Sequence, residues 1–324
     1  MRNQTVKSKK TLLRNIIILV LSLIFLVGGA GCIYVDQLLN KINFVPSVGD
    51  SSEQNASRAE VEPSVGGVKN ILLLGTDDYQ KNDVGRSDSM MLVSIDTRHK
   101  KLKTASFLRD TYVSIPGYEK NKLNAAYSLP GGKDKGARKV VSTIEENFGV
   151  NIDDFVIVDF SAFPKIIDRV GGVEITLTKG EAGLVNAYSG DSKKVKAGEN
   201  NLTGLQARYY SRIRAIGNDF ERTERQRKVF ASLVSKLKDS NLAQINAILA
   251  DTLPLVTTDM TKNDVVSLAA NSLTYLNYPV SQQQIPADGE YEEKSMRVGD
   301  VLVPDLDKCR QTLSAFLYEG DTEG

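Results

Sequence analysis

Residues 16 to 35 constrain the chain most strongly. From Ile16 to Val35 there are twenty consecutive residues without a charge, and only Ser22, Cys32 and Tyr34 carry polar side-chain groups. A helix of that length spans about 30 Å, the thickness of a bilayer core. Residues 1 to 15 are basic and hold no acid: Arg2, Lys7, Lys9, Lys10 and Arg14 precede the span, and Asp36 follows it. This charge order predicts a cytoplasmic tail (1–15), a transmembrane helix (16–35) and an extracellular remainder, a single-pass protein of the cell membrane. A cleaved signal peptide is the alternative, because Gly28-Gly29-Ala30-Gly31 places small residues after the apolar stretch, and Cys32 adds a faint lipoprotein signal.

Residues 36–67 read as a flexible extracellular linker, since VPSVGDSSEQNASRAEVEPSVGG is rich in Ser, Gly, Pro and Glu. The folded part is expected over 68–324. Ile71-Leu72-Leu73-Leu74-Gly75 is a short apolar run suited to a buried strand. Ser89–Ile95 and Lys101–Leu108 flank a polar turn and form a hairpin. A helical stripe in Lys133–Phe148 stops at Gly149, Asp154–Phe160 is a strand, and Ser161 caps a helix ending at Gly171-Gly172. Val173–Thr178 alternates as a strand. Helices are expected over Arg222–Lys238, Leu242–Leu249, Thr261–Leu276 and Asp305–Leu317, with a strand at Ser281–Ile285. Strands interleaved with helices predict an α/β fold, a single αβα domain; its hairpin makes the central sheet mixed.

Composition removes several chemistries. The formal net charge is +1, so bulk nucleic acid is not an expected partner. One histidine, His99, sits in a polar turn, and two cysteines, Cys32 and Cys309, lie far apart. Histidine-dependent triads, multi-histidine metal sites and CxxC frameworks are therefore excluded.

Basic character is instead concentrated between Arg208 and Arg227. The stretch holds Arg208, Arg212, Arg214, Arg222, Arg225 and Arg227, and no lysine occurs between Lys196 and Lys228. Guanidinium used so consistently suits bidentate binding of phosphate or carboxylate. On a helix starting at Asp219, Arg222, Arg225 and Gln226 share one face. A solvated charged face with Glu221 and Glu224 as partners is the simpler alternative. Asp77 and Asp88 fall in loops at strand ends, where open α/β sheets place ligands, and two carboxylates there suit Mg²⁺ (or Mn²⁺) as well as ordinary turn capping. Arg109 follows a strand and pairs with Asp110 or enters a cleft.

In order, the chain presents Gly75-Thr76-Asp77, Arg86-Ser87-Asp88-Ser89, Arg109-Asp110-Thr111, Lys122-Leu123-Asn124, Val170-Gly171-Gly172-Val173, Tyr210-x-Arg212-x-Arg214 and Asp219-x-x-Arg222-x-x-Arg225-Gln226. This series resembles the LytR-CpsA-Psr family of Gram-positive cell-envelope proteins over about residues 69 to 237. The resemblance implies a phosphotransferase moving a glycopolymer, such as teichoic acid or capsular polysaccharide, from an undecaprenyl-pyrophosphate carrier to peptidoglycan. It implies Asp77 and Asp88 as Mg²⁺ ligands and Arg86, Arg109, Lys122, Arg212, Arg214, Arg222, Arg225 and Gln226 as pyrophosphate ligands. Among these, Asp88, Arg109, Arg212 and Arg214 would act on the reacting groups. It further implies an apolar tunnel for the polyprenyl chain. Arg208 and Arg227 remain surface charge. Leu108, Asn121 and Ala125 depart from residues frequent in the family, and Asn121 weakens any role in orienting Lys122. A membrane-anchored regulator that binds polyprenyl phosphates without turning them over is the second reading.

Overall fold

The computed structural model describes residues 34–45, 65–76, 85–159, 162–217 and 219–318. The basic tail, nearly all of the 16–35 span, much of the linker, and Asp77 lie outside these residues. Residues 1–42 and 43–324 form two units. In the first, the described part holds a short helical stretch at 34–39. No helix among the described residues is long and apolar enough to cross a membrane.

The second unit is built on seven strands in the order β1 (Asn43–Phe44), β10 (Val256–Thr258), β7 (Asp154–Asp159), β2 (Val68–Thr76), β3 (Ser87–Asp96), β4 (Lys101–Phe107) and β11 (Val280–Ile285). Antiparallel β2–β3 and β3–β4 pairs sit beside parallel β2–β7 and β4–β11 pairs, so the sheet is mixed. The expected hairpin is β3–β4, with Asp96 paired to Lys101.

Both faces are covered, which is why β2 reads as a continuous apolar run rather than an alternating one. Leu72 and Leu74 pack with Leu92, Phe107 and helices α1 (Lys133–Phe148) and α8 (Leu306–Tyr318), through Val140, Ile144, Leu313 and Leu317. Their sequence neighbours Ile71 and Leu73 point the other way. They join Met91, Val93, Val234 of α5 (Asp219–Lys238) and Leu268 of α7 (Lys262–Leu276). Helix α1 ends where expected: Gly149 takes φ +70°, a left-handed cap that a side chain would strain.

A third cluster binds α2 (Ala162–Arg169) to the hairpin of β8 (Val173–Leu177) and β9 (Gly198–Leu202), and to α3 (Lys179–Tyr188), α4 (Gly204–Tyr210) and α5. At Gly204 an added Cβ would lie 2.1 Å from the Pro164 carbonyl oxygen, so only glycine permits the close approach of α4 to α2. Elements with no counterpart in the sequence reading include β1, which falls in the stretch expected to be flexible linker, β10, a one-turn helix at Ala125–Ser128, α3, α4, β9, the short pair β5 (Tyr112–Val113) and β6 (Asn121–Lys122), and the hairpin of β12 (Tyr291–Met296) and β13 (Gly299–Pro304). Helix α6 spans Leu242–Thr252.

Candidate active site

The cleft forms where β3 begins, β4 ends and α5 starts. Arg109 leaves β4 in a tight turn: Thr111 donates its hydroxyl to the Leu108 carbonyl at 2.7 Å, and the Asn124 N–H donates to the Arg109 carbonyl at 3.1 Å. These bonds fix the backbone on either side of Arg109 and leave its guanidinium to meet three acids. Its Nη1 donates to Asp88 Oδ1 at 3.1 Å, and its Nε lies 3.2 Å from both Asp110 Oδ2 and Asp219 Oδ1. Arg214 Nη2 approaches Asp88 Oδ2 at 3.4 Å. Arg222 Nη2 lies 2.9 Å from Asp219 Oδ1 and 3.3 Å from the Asp88 carbonyl oxygen. Lys122 Nζ donates to Asp110 Oδ1 at 2.8 Å.

Four of the expected phosphate ligands thus converge with Asp88 on one cleft, in which Asp110 and Asp219 interleave with the cations. Burial works against these charges. It pushes the Asp219 carboxyl above its ordinary range despite Arg222 and Arg109 nearby. Burial likewise lowers the Arg222 guanidinium despite Asp219, so this pair is held at a net desolvation cost. For Arg109 the balance reverses, because Asp219, Asp110 and Asp88 together outweigh burial and raise its pKa. Asp219 Oδ2 and Arg222 Nε are buried without hydrogen-bond partners. A ligand offering phosphate oxygens would compete with the carboxylates for these guanidinium groups.

The cleft is lined by Arg109, Asp110, Arg214, Asp219, Phe220 and residues of the β12–β13 hairpin, around a volume of about 360 Å³. The hairpin is fixed there by the Leu302 N–H, which donates to the Asp110 carbonyl at 3.0 Å. A second, apolar cavity of about 180 Å³ lies between the sheet and helices α2 and α5. It is lined by Leu74, Ser89, Phe163, Ile166, Gln226 and Phe230, among others. The two meet through sequence neighbours: Asp88 belongs to the ion-pair cluster and Ser89 to the cavity, and Arg222 and Gln226 stand one helical turn apart on α5.

Two of the expected ligands are placed differently. Arg225 is buried, and its Nε donates to Glu181 Oε1 at 2.8 Å, its Nη1 to the Ile213 carbonyl at 3.1 Å and its Nη2 to the Ile216 carbonyl at 3.1 Å. It therefore ties down the loop carrying Arg212 and Arg214 instead of contacting the cleft. Gln226 faces the apolar cavity and reaches the Ser211 carbonyl at 3.5 Å. Arg212 and Arg86 are exposed, the first on the same loop as Arg214 and the second two residues before Asp88. Arg227 departs from the surface role expected of it: it is half-buried, and burial lowers its pKa.

Among the described residues no group of three or more His, Cys, Asp or Glu side chains is arranged to hold a metal ion. The acids present still fit a hard cation of the Mg²⁺ kind, which takes one or two carboxylates and completes its shell with substrate phosphate and water. Asp88 supplies one such carboxylate, and Asp219 Oδ2 adds a nearby acceptor without a partner.

The cleft thus places guanidinium groups and acids at the strand ends of an α/β sheet, beside a separate apolar cavity. Residues 40–314 match the LytR_cpsA_psr family, and the chain belongs to it. It is 35% identical over 254 residues to the polyisoprenyl-teichoic acid–peptidoglycan teichoic acid transferase TagV of Bacillus subtilis (strain 168), covering 74% of this chain and 62% of TagV. It is 34% identical over 194 residues to the regulatory protein MsrR of Staphylococcus aureus (strain Mu50), covering 57% of this chain and 56% of MsrR. The chain thus spans less than two thirds of the length of either relative. Its fold is shared with YwtF (TagT), solved with bound octaprenyl pyrophosphate lipid, at a TM-score of 0.62 and 21% identity over 84% of this chain and 99% of that one.

Proposed function

We propose that this protein transfers a glycopolymer, a teichoic acid, capsular or related polysaccharide, from an undecaprenyl-pyrophosphate carrier to peptidoglycan. The observation that carries the reading is the junction at Asp88–Ser89 and Arg222–Gln226, where a guanidinium-lined cleft adjoins an apolar cavity. A pyrophosphate joined to a polyprenyl chain has the same division. The name of TagV and the lipid bound to TagT support it. The uncharged span 16–35 would anchor the chain in the cell membrane, with the basic tail cytoplasmic and the transferase outside.

Phosphoryl transfer needs alignment and charge neutralisation more than covalent help from the protein. Arg109, Arg214 and Arg222 would bind the phosphate oxygens, with Arg86 and Arg212 completing the fork from the exposed side. Lys122 holds Asp110, and Arg225 holds the loop. Asp88, with Asp77, would hold Mg²⁺ (or Mn²⁺), which supplies further neutralisation of the pyrophosphate charge. A peptidoglycan hydroxyl attacks the phosphorus next to the glycopolymer: the new P–O bond forms as the P–O bond to the leaving undecaprenyl phosphate breaks, and the hydroxyl proton passes to that phosphate or to water.

The test uses the full chain in detergent with lipid-linked polymer, peptidoglycan and Mg²⁺. Release of undecaprenyl phosphate, lost in Asp88→Ala and Arg214→Ala, is the expected result. Tight lipid binding without release would instead favour the regulatory reading suggested by the relation to MsrR.

A further inference from the structure

Helix α5 has a third face that the lipid reading leaves unused. Gln226, Val229, Phe230 and Leu233 line the apolar cavity. Phe220, Glu224 and Arg227, spaced i, i+4 and i+7, line instead a polar groove of about 430 Å³ against the edge strand β11. Phe220 lines both this groove and the arginine cleft, so the two spaces share a wall. Its ring stacks on Tyr291 with centroids 5.3 Å apart and planes inclined by 29°.

We propose that this groove, lined by Phe220, Arg227 and Gln282–Gln284, is the acceptor subsite and takes a neutral, hydroxyl- and amide-rich glycan. The proposal rests on the transferase reading above. Glu221, Glu224 and Asp288 line the groove against the single guanidinium of Arg227, a balance that repels phosphate and any anionic polymer. Gln282, Gln283 and Gln284 donate their amide N–H groups to the backbone carbonyls of Arg227, Gln284 and Pro286 at 3.5, 3.2 and 3.3 Å. Those bonds leave the amide oxygens as acceptors for sugar hydroxyl and acetamido groups. Arg227 lines the groove beside them, with its Nη1 buried and without a hydrogen-bond partner. With the polyprenyl chain on one face of α5 and the glycan on another, both reach the phosphates at its N-terminus.

The test measures binding of N-acetylglucosamine tetramer to the full chain in detergent, with and without added octaprenyl pyrophosphate, whose own affinity is measured in parallel. The tetramer should bind the wild type and bind the Gln282→Ala/Gln284→Ala double variant roughly tenfold more weakly, the loss of one or two modest hydrogen bonds. Octaprenyl pyrophosphate affinity should be the same in both, which also reports an intact fold. No tetramer binding, or equal binding by the variant, overturns the subsite. Displacement of the tetramer by a lipid-linked disaccharide assigns the groove to the donor's sugars and also overturns it. Tetramer binding that the variant weakens, in a chain that fails to bind octaprenyl pyrophosphate, would keep the glycan groove and sink the transferase reading.

Discussion

Replacing Arg225 by alanine should unfold the site from beneath rather than remove a ligand. The guanidinium is buried and makes hydrogen bonds to Glu181, Ile213 and Ile216. Its partner Glu181 has a side chain only 10% exposed. Removing one member of a buried pair leaves the other charge uncompensated, which costs about 3–5 kcal/mol at neutral pH. The pH dependence identifies the cause. Burial would raise the Glu181 pKa, but hydrogen bonds from Arg225 and Thr178 win and hold it below its ordinary value of 4.5. A depressed carboxylate contributes stability that is present above the unfolded pKa and disappears as pH falls through the folded one. The gap between wild type and Arg225→Ala should therefore be widest near pH 7 and narrow below pH 4.5 as Glu181 protonates. Urea unfolding of both full chains in detergent, at pH 7 and at pH 4, measures it. A loss smaller than about 1 kcal/mol, or an equal gap at both pH values, would refute the buried-pair argument.

Arg109→Ala removes the guanidinium shared by Asp88, Asp110 and Asp219, and transfer should fall by about 10- to 100-fold, the worth of one charge-assisted hydrogen bond; steady-state transfer rates decide it. Ile166→Gln places an amide in the apolar cavity, and octaprenyl pyrophosphate should bind about tenfold more weakly while inorganic pyrophosphate binds as before, as calorimetry would register. At Asp259, burial first, opposed by the Phe155 N–H and aided by Asp154, pushes the carboxyl up to about 6. A raised acid loses stability as pH climbs from the unfolded value of 3.8 through the folded one, so Asp259→Asn should abolish a fall of up to about 3 kcal/mol across that window, followed by denaturant titration at pH 4 and pH 7.

The β2 run, the β3–β4 hairpin, α1 with its Gly149 stop, and α5 were legible because each is fixed by short-range periodicity and end signals. The short helices α3 and α4 were not, although Thr178 and Thr203 carry capping boxes with Glu181 and Gln206. Read as bare polar spacing, those boxes were available in the sequence. The β12–β13 hairpin lies far beyond the arginine-rich stretch in the chain, and tertiary contacts such as the Leu302–Asp110 bond and the Phe220–Tyr291 stack bring it to the cleft.

Residue type alone determined that any anion site here would be built from arginine, without histidine or thiolate, and that Arg222 and Gln226 would stand one turn apart. It could not tell Arg225 from Arg222, because both lie within one helical turn and both carry the same group. Tertiary structure decided that difference: Glu181, 44 residues away, captures Arg225, while Asp88 and Asp219 hold Arg222 at the cleft. The same helix then sends Arg227, taken as surface charge, into a groove of its own. Helical phase sets the direction of each side chain, but the role comes from what the fold brings to meet it.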